Sequence, residues 1–135
     1  LADAISFPFS GPQALLMHQT LNELLHGIQG VHIYSQVGIN KLALREVFDS
    51  LDAWIRGQKM NRNGLPIAGL NRTFSISNVR ALRNAVEFVM LDLGQEEFFT
   101  RTGFSLQEAA ALRERLNSAL LDPLHIQESA QPMSY

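Results

Sequence analysis

At 135 residues, with 46% apolar and 18% charged side chains, the chain is long enough for one domain with a real core and too apolar to be disordered. A net charge of −2 does not favour nucleic acid or an anionic membrane, and the absence of cysteine excludes disulfides, thiolate metal sites and cysteine nucleophiles together. No apolar run approaches the length of a bilayer, and the composition fits a reducing, cytoplasmic setting.

The opening LADAISFPFSG lacks the basic segment of a signal peptide. It reads instead as an extended apolar arm carrying Phe7 and Phe9, because Pro8 opposes helix at Phe7. A first helix is predicted from about Pro12 to His26, with Ser10 or Gly11 as its cap and Gly27 at its end. Its spine is Ala14, Met17, Leu21, Leu24 and Ile28, and Leu15, Leu16 and Leu25 broaden that spine toward more than one neighbour. Val31 to Val37 reads as a short helix or irregular turn ending at Gly38. A second long helix is predicted from the N-cap Asn40 to about Ile55, with Leu44, Val47, Leu51 and Trp54 inward and Gly57 as its stop. GQKMNRNGLPIAGLNRT, residues 57–73, has no helical spine and reads as a linker pinned by Leu65, Ile67 and Leu70. A third helix starts near Ser75 or Ser77 and runs to Leu93, with Val79, Leu82, Val86 and Val89 inward and Gly94 as its stop.

QEEFFTRTGFSLQEAAALRERL, residues 95–116, reads as a short helix, a turn at Gly103 and a longer helix opened by a capping box of Ser105 and Glu108. Shifting the first half by about 65 positions brings caps, glycines and spines of the two halves into register without a gap. Phe9-Ser10 then meets Phe74-Ser75, Gly38 meets Gly103 and Asn40 meets Ser105. The expected fold is therefore an all-α domain over residues 1–121, made of two tandem helix-turn-helix-like hairpin units packed about a pseudo-twofold axis. Unit one covers about 9–56, the linker 57–73 and unit two about 74–121, with 122–135 as a polar tail.

The chemistry-bearing residues are few. Gly38-Ile39-Asn40 and Gly103-Phe104-Ser105 fit the corner of a DNA-binding helix-turn-helix, or a plain helical corner. Tyr34 and Phe99 stand where close helix packing wants a small residue. Glu46, Asp49, Glu108 and Glu114 sit beside Lys41, Arg45, Arg113 and Arg115, which leaves little for phosphate. Between Asp52 and Glu87 there is no acid, while Arg56, Lys59, Arg62, Arg72, Arg80 and Arg83 all fall there. Such segregation either steers an anionic ligand or an acidic protein face, or decorates a solvated loop that pairs with Asp52, Glu87 or Asp92. Glu23-x-x-His26 has the spacing of a di-iron half-site, but Leu91 stands at the matching position of the second unit and the ligand set is incomplete. His18, Asn22 and His26 share one flank and read as ordinary surface groups. Arg101, beside the Gly103 turn, is expected either to pair with Glu97 or to cap a helix end. No serine stands in a Ser-His-Asp arrangement, and no glycine-rich phosphate loop exists.

EEFFTRTGFSLQEAAALRERL resembles a segment of short all-helical bacterial accessory proteins, some of them encoded beside toxins as immunity proteins. The resemblance covers one unit and carries over no functional residue. The basic middle is not part of that pattern. With no catalytic constellation, low charge and spare apolar residues such as Phe7, Phe99 and Trp54, the expected function is a non-catalytic protein-binding module that sequesters a partner protein, such as a toxin, through a helical face plus the basic stretch from Arg56 to Arg83. No cofactor, metal or membrane partner is expected, nucleic acid is disfavoured, and self-association through a helix face is compatible with the reading. The alternatives are a helix-turn-helix nucleic-acid regulator and a metal-binding helical enzyme centred on Glu23 and His26.

Overall fold

The structure, a computed structural model, describes residues 4–27 and 41–121. The first turn at Gly38, its cap Asn40, the segment 31–37 with Tyr34, Ile28 and the tail 122–135 lie outside the described residues.

The chain is mostly helical, as an all-α reading expects, with one addition that this reading does not contain. Strand β1 (Ala4–Phe9) pairs antiparallel with strand β2 (Leu70–Ser75) in a two-stranded ribbon. Alternation explains it. Ile5, Phe7 and Phe9 turn inward and are buried, while Pro8 faces out. Opposite them, Phe74 is buried and Leu70 packs on the core, while Asn71, Thr73 and Ser75 face out. The last residues of the expected linker, from Leu70 on, therefore belong to the ribbon. Phe7, read as an apolar arm, is a core residue at 1% exposure.

Each strand runs straight into a serine-capped helix. Ser10 is extended (φ −69°, ψ 163°) and its Oγ accepts from the Gln13 N–H at 3.2 Å. The Gln13 Oε1 accepts in return from the Ser10 N–H at 3.3 Å, which completes a capping box, and Pro12 sits where a lost N–H costs nothing. Helix α1 (Gly11–Asn22) continues through a π-helical turn, Glu23–Gly27. Ser75 caps helix α3 (Ile76–Thr102) by accepting from the Asn78 N–H at 3.0 Å. Gly94 breaks that helix with φ 76° and ψ 177°, so the expected stop at Gly94 appears as a sharp bend between two helical pieces.

Helix α2 (Lys41–Arg56) and helix α4 (Leu106–Leu121) are both 16 residues long, and α4 starts 65 positions after α2. The corner before α4 is built as its sequence suggests. Gly103 takes φ 82° and its N–H reaches the Phe99 carbonyl at 2.9 Å. Thr102, buried, donates its hydroxyl to the Phe98 carbonyl and accepts from the Phe104 N–H at 3.1 Å. Ser105 and Glu108 then form a reciprocal cap.

One core joins these elements. Ala14, Met17, Leu21 and Leu24 of the first helix meet Val79, Leu82, Val86 and Val89 of α3, all essentially without solvent exposure. Leu44 and Leu51 of α2 and Leu112 and Leu116 of α4 close it from the other side. The segment between α2 and β2 is compact rather than slack: the Asn61 Oδ1 accepts from the N–H groups of Asn63 and Leu65, and Met60 bridges Pro66. Pro66 is buried and Leu65 is partly buried, whereas Ile67, expected to anchor the segment, is 65% exposed.

Candidate functional site

The six basic residues of the middle stretch stand in different local settings. Arg56, at the end of α2, donates from Nε to Asp52 at 2.6 Å, the local pairing that a solvated loop would make. That contact lifts the guanidinium above its ordinary value and, with the His18 contact, holds the Asp52 carboxyl below the usual carboxylate range. Lys59 and Arg62 are exposed on the compact linker, and Arg80 is exposed on the first turns of α3. Arg83 is half-buried, and its Nε has no hydrogen-bond partner among the described residues. Arg72 differs from the rest. It sits in the ribbon opposite Phe7, on the inward side, half-buried.

On the histidine flank His18 is packed and partly buried, while His26 stays exposed. His18 stacks on Phe48 at 4.7 Å, and its Nε2 meets the Asp52 Oδ1 at 2.9 Å. His26 meets the Asn22 Oδ1 at 3.0 Å and turns toward an edge of the same Phe48. Glu23 is bound to Arg101 at 3.2 Å, and Arg101 also holds Glu97, as its i,i+4 spacing predicts. The two carboxylates raise the Arg101 guanidinium above its ordinary value. Glu23 and His26 thus each have a protein partner, and among the described residues no group of three His, Asp or Glu side chains gathers around a common point.

At the α4 corner, the cations Arg113 and Arg115 are already engaged. Arg113 faces Glu87 at 3.7 Å and Glu114 at 3.9 Å. Arg115 turns inward, placing its guanidinium 4.7 Å from the centre of the Phe7 ring and donating to the Gln13 Oε1. Burial there pushes the Arg115 guanidinium below its ordinary value.

Two grooves open on the surface. One, of about 200 Å³, lies between α1 and α4 and is lined by Gln13, Leu16, Phe104, Glu108 and Ala111. The other, of about 230 Å³, lies between α2 and β2, lined by Glu46, Ser50, Arg72, Thr73, Phe74 and Asn78. Residues of this second groove stand 65 positions from residues of the opposite flank, among them Glu46 from Ala111, Ser50 from Arg115, Arg72 from Phe7, Thr73 from Pro8 and Asn78 from Gln13. On one flank Arg115 lies over Phe7 and binds Gln13. On the other, the short Ser50 leaves room above Arg72. Sequence reasoning misses this groove because it leaves β2 unassigned; the Leu70-Arg72-Phe74 alternation against Ile5-Phe7-Phe9 is the signal that finds it.

Among the described residues no helix is long and apolar enough to cross a membrane. Large apolar side chains stand in solvent: on α3, Leu91 is 80% exposed and Phe99 is 59% exposed. Leu91 borders a shallow hollow of about 180 Å³ with Asn84, Glu87 and Phe88. Comparison of the chain with protein-family models, with curated proteins and with solved structures finds no match in any of the three.

Proposed function

We propose that the chain is a non-catalytic protein-binding module of the immunity or inhibitor kind, which sequesters a partner protein such as a toxin. The observation that carries this reading is the exposure of Leu91 and Phe99 on α3. A partner that covers such side chains takes their apolar area out of water, and the chain has few charges with which to mask them. The cations of α4 are taken up internally, which leaves the nucleic-acid alternative without a basic face at its corner.

The architecture that presents this surface is, in our reading, a strand–helix–helix unit occurring twice and mated about an approximate dyad. Three features support it. The strands pair antiparallel with Phe7 opposite Arg72, its counterpart 65 positions later, as a dyad through that pair requires. The caps Ser10 and Ser75 stand the same distance apart, and so do α2 and α4. The central spines of α1 and α3 are buried at matching positions.

Affinity capture with the full chain from its native source tests the function. A single protein recovered in stoichiometric amount is expected, and its yield should fall when Leu91 and Phe99 are both changed to Ser. Capture of nothing stoichiometric, or retention on duplex DNA that weakens steeply with salt, would overturn the reading.

A further inference from the structure

The groove between α2 and β2 is furnished for a ligand that the described residues do not supply. Arg72 lines it with no ion pair or hydrogen bond from its side chain to any described residue, although Glu46 borders the same space. Among the described residues no strand pairs with the edge of β2 beside it. An antiparallel ladder alternates hydrogen-bonded and non-hydrogen-bonded pairs, and Pro8, which has no N–H, marks the Pro8–Asn71 pair as non-hydrogen-bonded. The Ser6–Thr73 pair, two positions along, is then of the same class. Thr73 therefore turns its N–H and C=O away from β1, toward the free edge. The opposite flank is closed on both counts: Pro8 withholds an N–H from the edge of β1, and Arg115 occupies the space over Phe7.

We infer that this groove receives an extended, acidic segment of a partner protein, which adds to the edge of β2 at Thr73 and places an Asp or Glu carboxylate on the Arg72 guanidinium. Strand addition supplies main-chain hydrogen bonds, and the charged pocket supplies selectivity for the side chain that enters it. Ser50 and Asn78 offer further donors to the carboxylate, and the groove volume of about 230 Å³ suits one side chain with its peptide unit rather than a large cofactor. Glu46, exposed at the mouth, opposes the incoming charge and keeps the affinity below what Arg72 alone would give. The inference rests on the protein-binding reading and names the chemistry of the partner.

The test uses a displayed library of random linear peptides panned against the full chain, followed by titration of the selected sequence as a synthetic peptide. Acidic residues are expected to be enriched. Arg72→Gln is expected to weaken binding about tenfold, since it removes one charge-assisted contact. Ser50→Arg, which copies the filled flank, and Thr73→Pro, which copies the edge of β1, should each abolish binding while thermal unfolding stays cooperative. Glu46→Gln should tighten it a few-fold. Selected peptides without acidic enrichment, or peptides that bind Ser50→Arg and Arg72→Gln as tightly as the parent, would overturn the inference. A native partner that remains bound to Ser50→Arg removes the groove and leaves the protein-binding reading intact. Failure of both capture and selection removes that reading as well.

Discussion

Phe7 and Arg72 face each other across the centre of the ribbon, 65 positions apart in sequence. The aromatic ring is buried with Phe9 at 4.8 Å and carries the Arg115 guanidinium on its face. Phe7→Ala is expected to cost about 3–5 kcal/mol, the usual range for emptying a buried aromatic site. Urea unfolding measures it. A loss below about 1 kcal/mol would show that the ribbon is not part of the core.

The glycines make a graded prediction. A Cβ on Gly11 would run into the Pro66 carbonyl oxygen and come within 2.8 Å of that of Ala68, and both are backbone atoms that cannot step aside. Gly11→Ala should cost about 1–3 kcal/mol by forcing the linker off the start of α1. Gly103, at φ 82° with open space around it, faces only the left-handed backbone cost, so Gly103→Ala should lose about 1–2 kcal/mol without moving its neighbours. Thermal melts compare the two, and amide chemical shifts near Pro66 should move only for Gly11→Ala.

Asp52 gives the pH dependence. The Arg56 hydrogen bond first, and the His18 contact second, hold its carboxyl below its ordinary value of 3.8. A depressed carboxyl contributes stability that is fully present above its unfolded pKa and is lost as the pH falls through the folded one. The difference in melting temperature between the parent and Asp52→Asn should therefore be constant at neutral pH and shrink once the pH drops below about 3.8. A difference that persists unchanged at pH 2 would contradict the assignment.

Much of this fold is legible in the sequence because local rules and burial agree. The apolar spines of α1 and α3, the Ser105–Glu108 cap and the left-handed Gly103 all follow from spacing within one element, where each residue's role depends on near neighbours. β2 is not legible by such rules. Leu70-Asn71-Arg72-Thr73-Phe74-Ser75 holds one β-branched residue and a charge on its inner face, and it becomes a strand through pairing with residues far away in the chain. The groove inherits that difficulty. Arg72 looks like one more base of a solvated stretch until the ribbon places it opposite Phe7, and Ser50 becomes informative only beside Arg115. The Ser10–Gln13 cap, by contrast, was available from its three-residue spacing.

The corner before α4 tests how α3 and α4 are joined. Ser105→Ala removes the acceptor of the Glu108 N–H and should cost about 1 kcal/mol. Glu108→Ala, which frees the Ser105 N–H, should cost less than that, because Ser105 is only partly buried and water can replace the acceptor. Chemical denaturation of the two single variants and the double variant separates the reciprocal bonds.

Native mass spectrometry of the full chain, affinity-purified from its own source at moderate salt, addresses the binding role most directly. The expected spectrum contains a heteromeric species with one protein partner in fixed ratio, diminished in the Leu91→Ser, Phe99→Ser double variant. A spectrum holding only the free chain or multiples of itself would contradict the role proposed for this molecule.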